Sequence, residues 1–558
     1  MARRIEKKKG ISGRNADGFI SGVLVLSIST MIVKIIGLAY KIPMIAYLGA
    51  EGMGYFNSAY EIYAMLCIVA TTGLPIALSL LISANCARGS GDALRRIDRS
   101  ATAVFLILGG IGSSCLLLFA RPITHTIGNE NAFLCVLAIA PALFFVCLSS
   151  AIRGYFQGFH KMLPTAISQL IEAICKLIFG VWFASIAVQK GMELPKIAAC
   201  AILGLSLGTL LSALYLCLEK MIFQDRSKVS CKRFDSSDRG DGISTLLRIA
   251  IPITLSSAVL GVTRLVDMAF ILRRLQDIGY SVSQANEIYG AYTTLAVPVF
   301  SLIPSLIAPI SMALVPKLSA AIERRSTDEQ AELSDRSIRL TSLLAVPASM
   351  GVAVYAKPIL SLLFTKEASA VELAAPLLSV LGISILFSGL ITTTNAVLQS
   401  YRQAGKPMIS MSVGALVKMV FAYFLIGIPS VGIYGAPIST LLCDLTITLI
   451  NLSFLGGTIP KSKRSGGIWQ VYYKPLAAAL LAILASLTVY LPIVKYKNQD
   501  TMALLLAMIV ATIVYLTFGI LFKMITKEDI ALLPMGEKIL LHGHLFYHKE
   551  KRKGKKEL

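Results

Sequence analysis

The chain has 558 residues, 55% of them hydrophobic, with a mean hydropathy of +0.72. Apolar stretches of about 20 to 30 residues recur from end to end, each long enough to cross the ~30 Å hydrocarbon core as a helix, which excludes an ordinary soluble domain. A net charge of +22 does not point to nucleic acid, because the basic residues cluster in short loops between apolar runs.

A transmembrane barrel would show alternating segments of about ten residues, and these are absent. The expected fold is an all-α polytopic membrane protein, since helices satisfy their own backbone groups in lipid. The ten cysteines are scattered without a C-x-x-C pair and indicate neither a zinc site nor a disulfide framework. The five histidines fall in loops, near span ends or in the tail. Neither an enzyme nor a metal site is expected, and His542-Gly-His544 reads as part of an unligated tail.

In chain order, residues 1–17 form a basic segment. An N-terminal lobe, 18–222, carries six spans at roughly 18–49, 52–86, 98–120, 130–156, 163–188 and 195–221. A polar linker, 223–242, leads to a C-terminal lobe, 243–457. Its six spans lie at roughly 243–275, 284–318, 337–364, 371–401, 407–428 and 432–457. Residues 458–525 add two more, 472–494 and 501–523, and 526–558 is a basic tail. The count is fourteen transmembrane helices. Most of the 53 Lys and Arg fall on one side, in the even-numbered loops together with the two terminal segments. The positive-inside rule then places both termini in the cytoplasm.

The first span carries two lysines in lipid-length apolar sequence. On a helical wheel Ser27, Thr30, Lys34, Gly37 and Lys41 form one stripe, and Pro43 and Gly49 offer a kink or break. The second span has Asn57, Glu61, Thr71 and Thr72 on one side and a further kink at Gly73–Pro75. In the seventh, Ser256, Ser257, Arg264 and Asp267 share a side. A cation at the centre of a span costs about 2.5–3.5 kcal/mol on insertion scales, so it faces a partner or a wet cavity. Lys41 could instead snorkel. Arg264 with Asp267, and Glu172 with Lys176, could be internal pairs. Deep cations near the first and seventh spans outnumber acids, so the cavity should attract an anion. The substrate-binding set is Lys34, Lys41 and Arg264, lined by Ser27, Thr30, Asn57 and Glu61.

The two halves repeat. "YFQGFHKMLPTAISQLIEAICKLIFGVWF" (155–183) aligns with "VLQSYRQAGKPMISMSVGALVKMVFAYFL" (397–425), matching Gln157 with Gln399 and Lys176 with Lys418. "VKIIGLAY" (33–40) aligns with "TRLVDMAF" (263–270). Six spans per half is an even number, which implies a parallel pseudo-twofold repeat with the site between the halves near the midplane.

The segments "KxxGLAYKIPMIAYLGAEGMGYFNSAYEIY", "TTGLPIALSLLISA", "RGYFQGFHKMLPTAISQLIE" and "VGIYGAPISTLL" resemble the stage V sporulation protein B group of polysaccharide-biosynthesis membrane proteins. That group is related to MurJ-type lipid II flippases and, more remotely, to MATE exporters of the MOP superfamily. The resemblance covers roughly residues 15 to 525, and the "QGxxxMxPTAxSQxxE" stretch, Gln157 to Glu172, is its most specific part. It implies two six-helix lobes with the last two helices added to the C-terminal lobe. In MurJ-type members that added pair helps form a groove for the lipid tail. The cavity cations on the first helix are typically arginines in the family, and the matching positions here are Lys34 and Tyr40 or Lys41. Some members bind sodium, and the nearest candidates for a cation site are Asp267, Asn395 and Gln399.

The expected function is a flippase of the bacterial cell membrane, moving a polyprenyl-pyrophosphate-linked cell-wall sugar precursor outward by alternating access. The alternatives are a cation-coupled MATE-type multidrug exporter, which would favour acids in its cavity, and a non-transporting scaffold for polysaccharide synthesis. No cofactor is expected apart from Na+ or H+ as a coupling ion. The expected partners are the lipid-linked sugar and membrane lipids, and the chain is expected to act as a monomer.

Overall fold

The computed structural model describes residues 2–88, 91–227, 242–403, 405–460, 473–497, 500–522 and 524; of residues 2–24, of Ser27 and of a number of others inside helices, Ser256 among them, only the backbone is described. The tail and residues 228–241 of the linker lie outside the described residues. Every regular element there is helical. α1 (Ala2–Thr71), α2 (Gly73–Arg88), α3 (Gly91–Ile127), α4 (Phe133–Gly158), α5 (Leu163–Gln189) and α6 (Leu194–Ser227) make up the first half. α7 (Gly242–Asp277) and α8 (Val282–Ala291) follow. A π-helical turn (Tyr292–Ala296) then leads into α9 (Val297–Glu323). α10 (Thr327–Val354), α11 (Ala356–Leu363), α12 (Ala368–Ser400), α13 (Gly405–Ile426) and α14 (Gly435–Gly456) precede the closing pair, α15 (Lys474–Lys497) and α16 (Asp500–Leu521).

Among the described residues, 12 helices are long and apolar enough to span a bilayer. The difference from fourteen has a local cause. The expected first and second spans are fused in one 59-residue candidate, Ile28–Cys86. In α7 only Ser244–Leu255 reads as an apolar helix. Within the fused helix the break lies at Gly49, not Pro43. Its φ of 62° and ψ of −179° belong to a region that is essentially glycine's alone. The second break is where Gly73–Pro75 predicts it: α1 stops at Thr71 and α2 starts at Gly73. The hydroxyls of Thr71 and Thr72 bond back to the carbonyls of Cys67 and Ile68.

Large apolar side chains stay exposed on many helices, among them Leu118 at 77% and Ile520 at 73%. Such a surface has no place in water, and lipid chains are its solvent. This is a multi-pass helical membrane protein.

The chain forms two compact units. The first comprises Met1–Leu295, Lys366–Ala374 and Met419–Ala436; the second comprises Ala296–Thr365, Ala375–Lys418 and Pro437–Leu558. The division therefore does not follow the 223–242 linker, because α7 and α8 pack on α1 and α2 through backbone contact. A Cβ on Gly290 would lie 1.8 Å from the Ala50 carbonyl oxygen, and one on Gly54 would lie 2.3 Å from that of Asn286. Likewise Gly73 lets α2 meet α7 at Ala250 and Thr254. Small residues at these crossings are what allow helices to associate in lipid. In the second unit, α15 and α16 bury Ala478, Ile483, Leu504 and Ala507 against side chains such as Leu340, Leu343 and Tyr355 of α10 and its end.

The repeat is visible in the hydrogen bonding of both units. In the first, Arg153 of α4 donates to Ser168 and Glu172 of α5 and to Ser212 of α6, at 3.0, 2.9 and 3.2 Å. At the offset that relates Gln157 to Gln399, Arg153 corresponds to Asn395 and Ser168 to Ser410. In the second unit Asn451 of α14 donates to Asn395 of α12 at 2.8 Å, and Ser410 of α13 donates to Asn451 at 2.6 Å. Both networks join the fourth, fifth and sixth helices of their half.

Candidate functional site

The polar face of α1 carries the site. Lys34 is exposed, and it interacts electrostatically with Arg264 of α7. Two helical turns further on, ~10 Å along the axis, comes Lys41. Lys41 is half-buried; its Nζ donates to the Thr293 carbonyl at 2.7 Å and feels the charges of Lys176 and Glu61. That carbonyl lies in the π-helical turn just before Pro298, whose missing N–H breaks the regular ladder. Tyr60 interacts with Glu61, Glu172 and Arg264 together. Lys34, Lys41 and Arg264 thus gather in one region of the first unit, with Lys176 of α5 beside them.

Formal charge there is positive however the groups pair. Lys34, Lys41, Arg153, Lys176 and Arg264 are five cations; Glu61, Glu172 and Asp267 are three carboxylates.

Several side chains differ from the sequence expectation. Asn57 does not line a cavity: it is 5% exposed, and its amide donates to Thr293 and Thr294 Oγ1 at 2.9 and 2.8 Å. An amide needs partners once buried, and here it ties α1 to the π turn. Thr30 is exposed and bonds back to Leu26, while its neighbour Ser29 is the buried residue, donating to the Ala166 carbonyl of α5 at 3.0 Å. The side chain of Ser27 lies outside the described residues. Glu61 is half-buried among the cations.

Glu172 does not pair with Lys176 as an i,i+4 partner. It forms a salt bridge to Arg153 at 2.9 Å, while Lys176 lies over the rings of Tyr40 and Tyr60 at 4.9 and 4.8 Å. The rigid guanidinium fork reaches the carboxylate and two serines at once from fixed donor positions, through Nε and Nη2. Of the candidate cation site, Asp267 belongs to the first unit, and Asn395 and Gln399 to the second. Gln399 is exposed, and the Asn395 amide oxygen already accepts the Asn451 amide.

Other polar residues had no part in the sequence reading. Asn129 Nδ2 donates to Asn286 Oδ1 at 2.7 Å and to Ser58 Oγ at 2.9 Å, and both asparagines are fully buried. Beside them Arg273 donates to the last carbonyls of α3, at His125 and Thr126, and Gln276 donates to the Gly128 carbonyl. Together they strap the α3–α4 and α7–α8 connections at the end of the first unit nearest Gly49. The only sequence signal was polar residues at span ends, "GNEN" and "SQANE", which also fits ordinary loops. Arg153 was missed as well, because it sits a few residues from the end of its span.

The second unit contributes an apolar groove of about 450 Å³, lined by Leu343, Leu344, Pro347, Ile483, Met508 and Leu516 among others. Its tyrosines keep it apolar by spending their hydroxyls: Tyr515 donates to the Leu343 carbonyl at 2.8 Å, and Tyr355 shares a hydrogen bond with Ser486 at 2.6 Å.

Residues 19–322, more than half of the chain, match the family described as polysaccharide biosynthesis protein. The chain belongs to that family. Residues 283–424 also match MatE. Among curated relatives from Bacillus subtilis (strain 168), stage V sporulation protein B is 23% identical over 530 residues, covering 94% of this chain and 99% of the relative. The lipid II flippase MurJ is 24% identical, covering 72% of this chain and 76% of the relative. Among solved structures, the lipid II flippase MurJ in an inward closed conformation superposes with a TM-score of 0.69 at 15% identity, over 89% of this chain and 98% of that one. A multidrug resistance MATE transporter of the MOP superfamily, inward-facing, gives 0.64 at 15% identity, over 78% and 98%. The chain thus shares the fold of these MOP-superfamily structures.

Proposed function

We propose that the protein is a flippase that carries a polyprenyl-pyrophosphate-linked sugar precursor of cell-wall polymer from the inner to the outer leaflet by alternating access. The observation that carries this reading is the surplus of cations around α1, in which Lys34, Lys41, Lys176 and Arg264 come from three helices. A region with that charge favours a desolvated diphosphate and disfavours the organic cations of a multidrug exporter. The apolar groove between α10, α15 and α16 suits a polyprenyl tail, and the sequence similarity to a lipid II flippase supports the same substrate class. With the termini cytoplasmic and the inside negative, outward movement of the anion gains about 2.3 kcal/mol per charge per 100 mV.

The test is transport of a fluorescent lipid-linked sugar in proteoliposomes. Lys34→Ala should lower the rate about tenfold or more, as expected for one lost charge-assisted contact, while membrane insertion is unchanged. Transport at the wild-type rate would remove the cavity role. Resistance to organic cations on expression would favour the exporter instead.

A further inference from the structure

Lys176 stands apart from the other deep cations. Among the described residues it has no hydrogen bond and no carboxylate at salt-bridge distance; its recorded contacts are the two tyrosine faces and the long-range charges of Glu172 and Lys41. The carboxylate one turn before it is committed elsewhere, to Arg153. The side chain is therefore placed without being neutralised.

The aromatic cradle is fixed, and the lysine is its movable part. Tyr40 is 2% exposed, and its ring edge stands 2.9 Å from where a Cβ on Gly180 would be. Tyr60 lies within ring-contact distance of Phe56 and Tyr63, at 6.5 and 6.0 Å between centroids. The backbone beneath Lys176 is also fixed, because Gly208 of α6 abuts the Glu172 carbonyl and the Lys176 amide. Only the four-carbon stem can rotate. A ring face holds an ammonium more weakly than a phosphate oxygen does, since the latter offers a full charge and a hydrogen bond.

We propose that Lys176 is a diphosphate-binding residue of the α1 site, resting on Tyr40 and Tyr60 until the anion arrives and then swinging beside Lys41 to bind it. The inference rests on the flippase reading and adds a residue from α5 to the Lys34, Lys41 and Arg264 set. A pyrophosphate is the chemical class it takes, in the free ion as in the lipid-linked sugar.

The experiment uses the full chain in lipid nanodiscs with inorganic pyrophosphate as the probe. Lys176→Met keeps an apolar side chain that packs on aromatic rings. It should weaken pyrophosphate binding about tenfold, while Lys176→Arg retains most of it. Lys196→Met, which alters an exposed lysine paired with Glu193, is the control and should bind as wild type does. Acylation of Lys176 by a small amine-reactive reagent, read by peptide mass spectrometry, should slow when pyrophosphate is added. A merely structural lysine would show no such protection. Binding to Lys176→Met within about twofold of wild type overturns the proposal. If Lys34→Met weakens binding and Lys176→Met does not, Lys176 is excluded and the flippase reading stands. If wild type binds no pyrophosphate, both fall.

Discussion

Lys176 and Lys418 occupy corresponding positions in the two halves and have opposite surroundings. Lys176, in the first unit, rests on two aromatic rings. Lys418, in the second, acts on Asp444 of α14, whose carboxylate also accepts the Ser384 hydroxyl at 2.7 Å. The neighbouring position decides the rest: Glu172 corresponds to Gly414, where a Cβ would meet Ile447 at 2.3 Å. The second unit has no room for an acid on α13 and supplies one from α14. One copy of the repeat thus sets its lysine within the field of a carboxylate, and the other rests its lysine on aromatic rings. That asymmetry is what a carrier of anions would exploit, with one half structural at this position and the other reactive.

The largest expected effect comes from removing the buried carboxylate that Lys418 acts on. Asp444→Asn leaves the half-buried Lys418 without its carboxylate, a change that typically costs roughly 3–5 kcal/mol when one partner of a buried pair is removed. The thermal midpoint of the full-length protein in detergent should fall, and Asp444→Asn with Lys418→Met should recover most of the loss. Lys176→Met alone should leave the midpoint nearly unchanged. A loss in Lys176→Met as large as that in Asp444→Asn would show that the halves are not different in kind.

A smaller effect separates how the two units pack. Gly204 lets α6 reach the backbone of α5, where a Cβ would stand 2.2 Å from the Gly180 amide nitrogen. Gly414 instead meets a side chain, that of Ile447. Gly204→Ala must push two helices apart and should cost about 1–3 kcal/mol or more. Gly414→Ala should cost less and be relieved by Ile447→Ala, which removes the Cγ1 that the new Cβ would meet, measured as the same thermal shift. Failure of that rescue would mean that both contacts are set by backbone.

The sequence made the spans, the repeat and the Gly49 and Gly73–Pro75 breaks legible, because each is a local pattern of hydropathy or backbone freedom. It also brought Lys34, Lys41 and Arg264 to one region by wheel and repeat alone. What it could not show is which polar groups are spent on each other. Arg153 takes Glu172 from across a helix–helix contact, overriding the i,i+4 pattern with Lys176. Asn57, which looked like a lining residue, is consumed by Thr293 and Thr294 from more than two hundred positions away. Hydrogen bonds between distant helices leave no periodic trace, and a polar stripe on one helix does not reveal what faces it.

The smallest effect probes the cradle itself. Tyr60→Leu removes one of the two ring faces beneath Lys176, and a cation over a ring contributes about 0.5–2 kcal/mol depending on how dry it is. Tyr60 is half-buried, so the lower part of that range applies. In a double-mutant cycle with Lys176→Met the coupling should be about 0.5–1 kcal/mol in thermal stability. The same cycle read as pyrophosphate affinity should have the opposite sense. Once the ring no longer competes for the ammonium, Tyr60→Leu should bind pyrophosphate slightly more tightly than wild type. Tyr40→Leu should not show this gain cleanly, because Tyr40 also fills the slot at Gly180 and its loss disturbs the α1–α5 contact. Weaker binding in Tyr60→Leu would mean that the rings position Lys176 for the anion and do not hold it in reserve.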